Sequence, residues 1–177
     1  MNEHVLVSED QIKKRLSELA QELKKDYGDK HLILLGILKG SFVVIADLIR
    51  ALHKEGYLKV ELSFMTLKSY HGDNRQAESI QIVQDIDFDP KNKDILMVDD
   101  IFDTGKSFEF VNQLMVKRGA ASVEGLALLA KPDRHQVLYR PKYVGFTVPN
   151  VWVEGYGMDN NEMGRGNRDV IVSKENE

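Results

Sequence analysis

The chain contains no cysteine. That excludes disulfide frameworks, thiolate metal sites and cysteine nucleophiles. Proline is scarce at four residues, and tryptophan occurs once, at Trp152. Long apolar runs are missing too. Leu32 to Leu38 is interrupted by Gly36, and Leu126 to Ala130 stops at Lys131, whereas a membrane-spanning helix needs about 20 mostly apolar residues. Positive charge is not in excess. The formal net charge is −4, which speaks against nucleic acid as the main partner. The first ten residues, MNEHVLVSED, show no basic start followed by an apolar core. No secretory signal is expected, and the cytoplasm is the expected compartment. What remains is ordinary for a soluble globular chain: 177 residues, 42% hydrophobic and 29% charged. That length suits one domain with a core of its own.

Hydrophobic periodicity alternates along the chain. Ser8 followed by Gln11 is a capping-box pattern. Ile12, Leu16, Leu19 and Leu23 then recur at helical spacing, which predicts a helix over 9–26. Residues 31–37 read as a buried strand, 41–53 as a helix and 58–67 as a strand. Residues 68–79, KSYHGDNRQAES, are polar and aperiodic and read as a loop. A loop of that length in a compact domain is often functional. Strands are expected at 80–84, 94–98, 122–130, 143–146 and 170–172, with a helix at 107–118. Such alternation predicts an α/β fold with a mostly parallel sheet covered on both faces. Ligands bind beyond the carboxyl ends of such strands.

The stretch from Ile95 to Ser107, ILMVDDIFDTGKS, carries the densest chemistry. An apolar strand delivers Asp99 and Asp100, and Asp103, Thr104, Gly105, Lys106 and Ser107 then lead into a helix. Hydroxyls, a lysine and free backbone N–H groups at a helix start form an anion cradle. Gly105 permits close backbone approach. The paired acids suit a hard divalent cation such as Mg²⁺ shared with a polyanionic ligand. Together these suggest a sugar phosphate bearing pyrophosphate or a metal-bound pair of hydroxyls. Other readings fit less well. Acids at a strand end can serve only as solvated charge. An aspartic protease needs two Asp-Thr-Gly loops, and there is one. A receiver domain carries its acidic pair on the first strand, and here it lies past mid-chain. The Walker spacing is not met.

VDDIFDTGKS resembles the phosphoribosyl-pyrophosphate (PRPP) motif of the type I phosphoribosyltransferases. LLGILKGSFVVIADLIRAL, LKSY, LLAKPDR, YVGFTVPN and VEGYGMDNNE resemble the hypoxanthine-guanine branch of that family in particular. The resemblance implies the type I phosphoribosyltransferase fold, a twisted parallel sheet flanked by helices with a small hood subdomain from the chain ends. One domain would span 1–177, with a core of roughly 31–148, a hood of roughly 1–30 and 149–177, and a mobile loop of roughly 68–79. The implied reaction is Mg²⁺-dependent transfer of 5-phosphoribosyl from PRPP to N9 of hypoxanthine or guanine in purine salvage. A xanthine-preferring transferase and a PRPP-sensing regulator without turnover are the alternatives.

Residue roles follow from the same resemblance. Asp99 and Asp100 face the ribose hydroxyls and the metal, and the family more often has Glu at the first of these positions. Asp103 lies near purine N7 as the catalytic acid–base group. Asp103, Thr104, Gly105, Lys106 and Ser107 cradle the 5′-phosphate. Lys39, Gly40 and Arg165 bind pyrophosphate, with Arg168 as a possible substitute for Arg165. The peptide before Lys39 can be cis in the family. Ser69 and Tyr70 belong to a loop that closes over the site. Lys131 donates to purine O6, Trp152 stacks on the base and Val153 meets its edge. Asp159 sees the base and joins Asp99 and Asp100 around the metal. The implied partners are PRPP and a 6-oxopurine, neither nucleic acid nor membrane, and further copies of the chain in a homodimer or homotetramer.

Overall fold

The computed structural model describes residues 4–70 and 79–173. The Ser8 hydroxyl accepts from the Gln11 N–H, and the Gln11 side chain accepts from the Ser8 N–H at 2.8 Å, so both halves of the capping box form. They start helix α1 (Glu9–Tyr27), which buries Ile12, Leu16, Leu19 and Leu23 on one stripe. Ahead of it lies a short strand, β1 (His4–Val7). The run LILLGIL forms β2 (Leu32–Leu38), buried along nearly its whole length as expected for a central parallel strand. Helix α2 (Phe42–Lys54) follows, then β3 (Val60–Tyr70), β4 (Ser79–Gln84), β5 (Asp94–Phe102), α3 (Lys106–Lys117), β6 (Ser122–Ala130) and β7 (Tyr143–Thr147). A single 3₁₀ turn covers Pro132–Arg134. Two short strands, β8 (Val153–Glu154) and β9 (Val170–Val172), complete the described elements.

Six strands form the main sheet in the order β4-β3-β2-β5-β6-β7, all parallel except the β3–β4 pair. Alternation along the strands sorts the core into two layers. Leu32, Leu34, Leu96, Val98, Leu126 and Leu128 face α1 and α2. Ile33, Leu35, Ile95, Met97 and Ala127 face α3. The second, three-stranded sheet has the order β1-β9-β8 and unites both ends of the chain. Helix α1 packs on α2 and touches β7, where Arg15 donates to the carbonyls of Val144 and Gly145 at 3.0 and 3.2 Å.

Three differences from the sequence reading matter. The loop expected over 68–79 is narrower. Lys68, Ser69 and Tyr70 pair with Gln81, Ile80 and Ser79 in the β3–β4 ladder, because an antiparallel partner satisfies polar residues' backbone groups as well as apolar ones. Residues 71–78 lie outside the described residues. Strand β5 does not stop before its acids but runs through them to Phe102, since β6 continues alongside as far as Phe102↔Ala130. Strands β1 and β8 were not anticipated. Each is too short for its own periodicity, and each exists by pairing with β9.

Candidate active site

The chain passes from β2 through α2 to β3 on one side, then returns to β5 on the other side of β2. The carboxyl ends of β2 and β5 therefore flank a topological switch point, the usual ligand crevice of open α/β sheets. The β2–β5 ladder ends at Gly36↔Val98, while β2–β3 pairing continues to Leu38↔Thr66. A cavity of about 550 Å³ opens between the diverging strands. Lys39, Gly40, Asp99, Asp100, Ser107 and Arg165 lie on its wall. Ser69 and Asp159 also line it. The Leu38–Lys39 peptide is cis.

Asp100 is 8% exposed, and its N–H donates to Asp99 Oδ1 at 2.9 Å. Burial, and then the like charge of Asp100, hold the Asp99 carboxyl well above the usual carboxylate range. Burial raises Asp100 as well. A Cβ at Gly40 would overlap the Asp100 carboxylate, and one at Gly157 would overlap the Gly40 carbonyl. Backbone thus packs directly on the acid.

Among the described residues, no three acids or histidines cluster closely enough to cage a metal. The donors that are present, the adjacent carboxylates of half-buried Asp99 and buried Asp100 with Asp159 on the same cavity wall, are hard oxygens. They suit a divalent cation that takes its remaining ligands from a bound phosphate.

After β5, the Asp103–Ser107 segment turns into α3. Gly105 has φ +86°, and a Cβ there would meet Phe102 and Val137 at 2.6 Å each. Gly105 caps α3 without a side chain, and the Lys106 N–H turns back to Thr104 Oγ1 at 3.5 Å; the N–H groups that follow in this first turn suit an anion. The loop is braced from behind: the Lys131 N–H donates to the Phe102 carbonyl at 3.0 Å, and the Gln136 N–H to the Thr104 carbonyl at 2.9 Å.

Two smaller pockets adjoin, of about 200 and 160 Å³. Both are walled by Asp103, Lys131 and Trp152. Val153, Asp100 and Asp159 complete the second, so it shares acids with the large cavity. Lys131 is 7% exposed, and burial depresses its ammonium despite the pull of Asp103. Trp152 is 65% exposed. It is no core tryptophan but an open aromatic face at the pocket rim.

The hood side carries a chain of ion pairs. Arg165 donates to the Gly157 carbonyl at 2.8 Å and meets Asp159 at 2.7 Å and Glu162 at 3.3 Å. Lys39 meets the same Glu162 oxygen at 2.9 Å. Arg168 instead lies 3.9 Å from Glu9 and is mostly exposed. Of the two arginines, Arg165 is the one in the cavity. The side chain of Tyr70 is not among the described ones.

The chain that folds into this parallel sheet, acid pair, glycine loop and lysine–tryptophan pocket matches a family model. That model describes a phosphoribosyl transferase domain and covers residues 6–161. The chain belongs to the phosphoribosyl transferase family. A hypoxanthine-guanine phosphoribosyltransferase of Lactococcus lactis is 41% identical to it over 160 residues, 90% of this chain and 85% of the relative. A solved hypoxanthine phosphoribosyltransferase from Staphylococcus aureus superposes with a TM-score of 0.90 at 35% identity, covering 97% of this chain and 91% of that one. A Trypanosoma cruzi hypoxanthine phosphoribosyl transferase structure gives 0.91 at 28% identity over 98% and 93% of the two chains.

This phosphoribosyl transferase also places two residues in the site that the sequence did not single out. Arg134 donates to Asp103 at 3.0 Å and lines the same pocket. It stands three residues after Lys131, on the 3₁₀ turn that Pro132 opens, and that spacing was the available signal. Glu162 was masked by its exposed, polar surroundings.

Proposed function

We propose that the chain transfers 5-phosphoribosyl from PRPP to N9 of hypoxanthine or guanine, releasing pyrophosphate. The observation that carries this reading is the junction of two unlike sites across shared acids. One is a wide cationic and acidic cavity, and the other is a narrow pocket with a buried lysine and an open indole. A sugar phosphate spans the first and a flat base fills the second.

In this reading Asp103 to Ser107 hold the 5′-phosphate at the start of α3. Lys39 and Arg165 hold the departing pyrophosphate. Lys131 donates to O6, which favours a 6-oxo base over a 6-amino base that offers a donor there. Trp152 stacks on the ring, and Val153 lies at its edge. Asp103 takes or shares the N7 proton, steered by Arg134. Asp99, Asp100 and Asp159 would hold a bound Mg²⁺, which would neutralise charge on the departing pyrophosphate. In the same reading Ser69 and Tyr70 belong to the segment that covers the site from water. Most of the acceleration comes from holding both substrates in register. The cytoplasm as compartment and a homodimer or homotetramer as assembly belong to the same proposal, and sedimentation velocity reads the assembly.

The test is turnover with Mg²⁺, PRPP and hypoxanthine, guanine, xanthine or adenine in separate assays followed by absorbance. Hypoxanthine and guanine are expected to react and adenine not. Preference for xanthine would reassign the base. PRPP binding without turnover on any base would replace the enzyme by a sensor.

A further inference from the structure

Glu162 sits at an odd place for a glutamate. Asn160 and Met163 exchange backbone hydrogen bonds of 3.0 and 3.1 Å, closing a two-residue turn. The central residues, Asn161 and Glu162, have φ of +52° and +63°. Both central positions at positive φ define a type I′ turn, which favours Asn followed by Gly. Asn is present. The glycine position carries Glu, which suffers steric strain in the left-handed region. Its N–H is tied to Asp159 Oδ2 at 2.9 Å. The strained residue therefore points its carboxylate back across the cavity mouth.

One oxygen of that carboxylate, Oε2, lies 2.9 Å from Lys39 Nζ and 3.3 Å from Arg165. These are the two cations assigned above to pyrophosphate. A single oxygen shared by a lysine and an arginine is the arrangement a phosphate oxygen would adopt. Lys39 first, and Arg165 second, draw the Glu162 carboxyl below its ordinary range. Both Lys39 and Glu162 are about two-thirds exposed, at 65% and 69%, so the pair is weak enough to exchange.

Resting on the proposed reaction, we infer that Glu162 is an internal stand-in for pyrophosphate. In the unliganded chain it neutralises Lys39 and shares Arg165 with Asp159. PRPP displaces it on binding, and it competes with pyrophosphate after transfer, speeding release. It is a positioning residue that sets affinity at the pyrophosphate subsite and touches no reacting atom.

The test compares wild type with Glu162→Gln and Glu162→Gly. Pyrophosphate affinity is read by titration calorimetry, and kcat and KM for PRPP are measured in parallel. Glu162→Gln is expected to tighten pyrophosphate binding about two- to fivefold. KM for PRPP should fall by a similar factor, and kcat should fall where pyrophosphate release limits turnover. The gain should fade by about 1 M salt, where the Debye length is near 3 Å. Glu162→Gly relaxes the turn and removes the same charge, so it should tighten binding equally. Unchanged or weaker pyrophosphate binding in Glu162→Gln overturns the inference. So does tightening confined to Glu162→Gly, since that would trace the effect to the turn. Wild type that turns over hypoxanthine keeps the underlying reaction standing whichever way the variants fall, and wild type that does not removes both.

Discussion

The site has a sheet side and a hood side, and their carboxylates differ in opposite directions. Asp99 and Asp100 sit adjacent within β5, the first half-buried and the second buried, and both carboxyls are pushed up from their ordinary value. Glu162 sits on an exposed turn between two cations and titrates below it. The sheet side fixes its groups through buried strands: Asp100 and Lys131 are 8% and 7% exposed. The hood holds Trp152, Asp159 and Arg165 by short strands, a tight turn and exchangeable ion pairs. Groups that must not move are placed by packing. The groups proposed to trade a protein partner for a ligand are placed by salt bridges.

The two sides meet where Gly40 lies between the Asp100 carboxylate and Gly157. Breaking that seam should have the largest effect. Gly40→Ala drives a Cβ into the Asp100 carboxylate and must displace it from its place in the site. kcat/KM is expected to drop about 100-fold, as for other roughly 1 Å misplacements of reacting groups. Near wild-type kinetics would show that the seam can relax.

The next effect isolates the hood. Trp152→Ala removes an exposed face without opening the core, so KM for the base should rise about tenfold. KM for PRPP and the melting temperature should hardly change. A large fall in stability would return Trp152 to the core.

The smallest effect isolates the sheet. A carboxyl whose folded pKa is raised gives stability that is fully present below its unfolded pKa, about 3.9. That stability is lost as pH rises through the folded value. In metal-free buffer, Asp99→Asn should therefore melt higher than wild type at pH 8, by about 2–4 °C for each kcal/mol of relief. The gain should vanish toward pH 4. A variant that melts lower at pH 8 would show that Asp99 is stabilised by partners, not strained by burial.

Much of this was legible in the residues. The α1 stripe and its capping box, the buried run of β2 and the strand of 122–130 each follow from local periodicity. The anion cradle was legible because glycine, hydroxyls and acids lie within nine residues, 99–107, on one strand-to-helix turn. The edges of β3, β4 and β5 were not, because a polar residue joins a strand when a neighbour offers a ladder. Arg134 and Glu162 were not legible as site residues. Each is an exposed charge on a turn, alike in sequence to many that do nothing.

Composition and periodicity by themselves determined the class, an alternating α/β chain without thiols and without an apolar run long enough for a spanning helix. The local pattern at 99–107 determined a strand-to-helix turn that carries acids, hydroxyls and a glycine. Only the tertiary structure decided that Lys39, 60 residues before Asp99, and Arg165, 66 residues after it, face that acid pair across one cavity. The reason lies in topology. The strand order reverses between β2 and β5, and both chain ends fold back to form the second sheet. Neither arrangement leaves a mark on the spacing of residues along the chain.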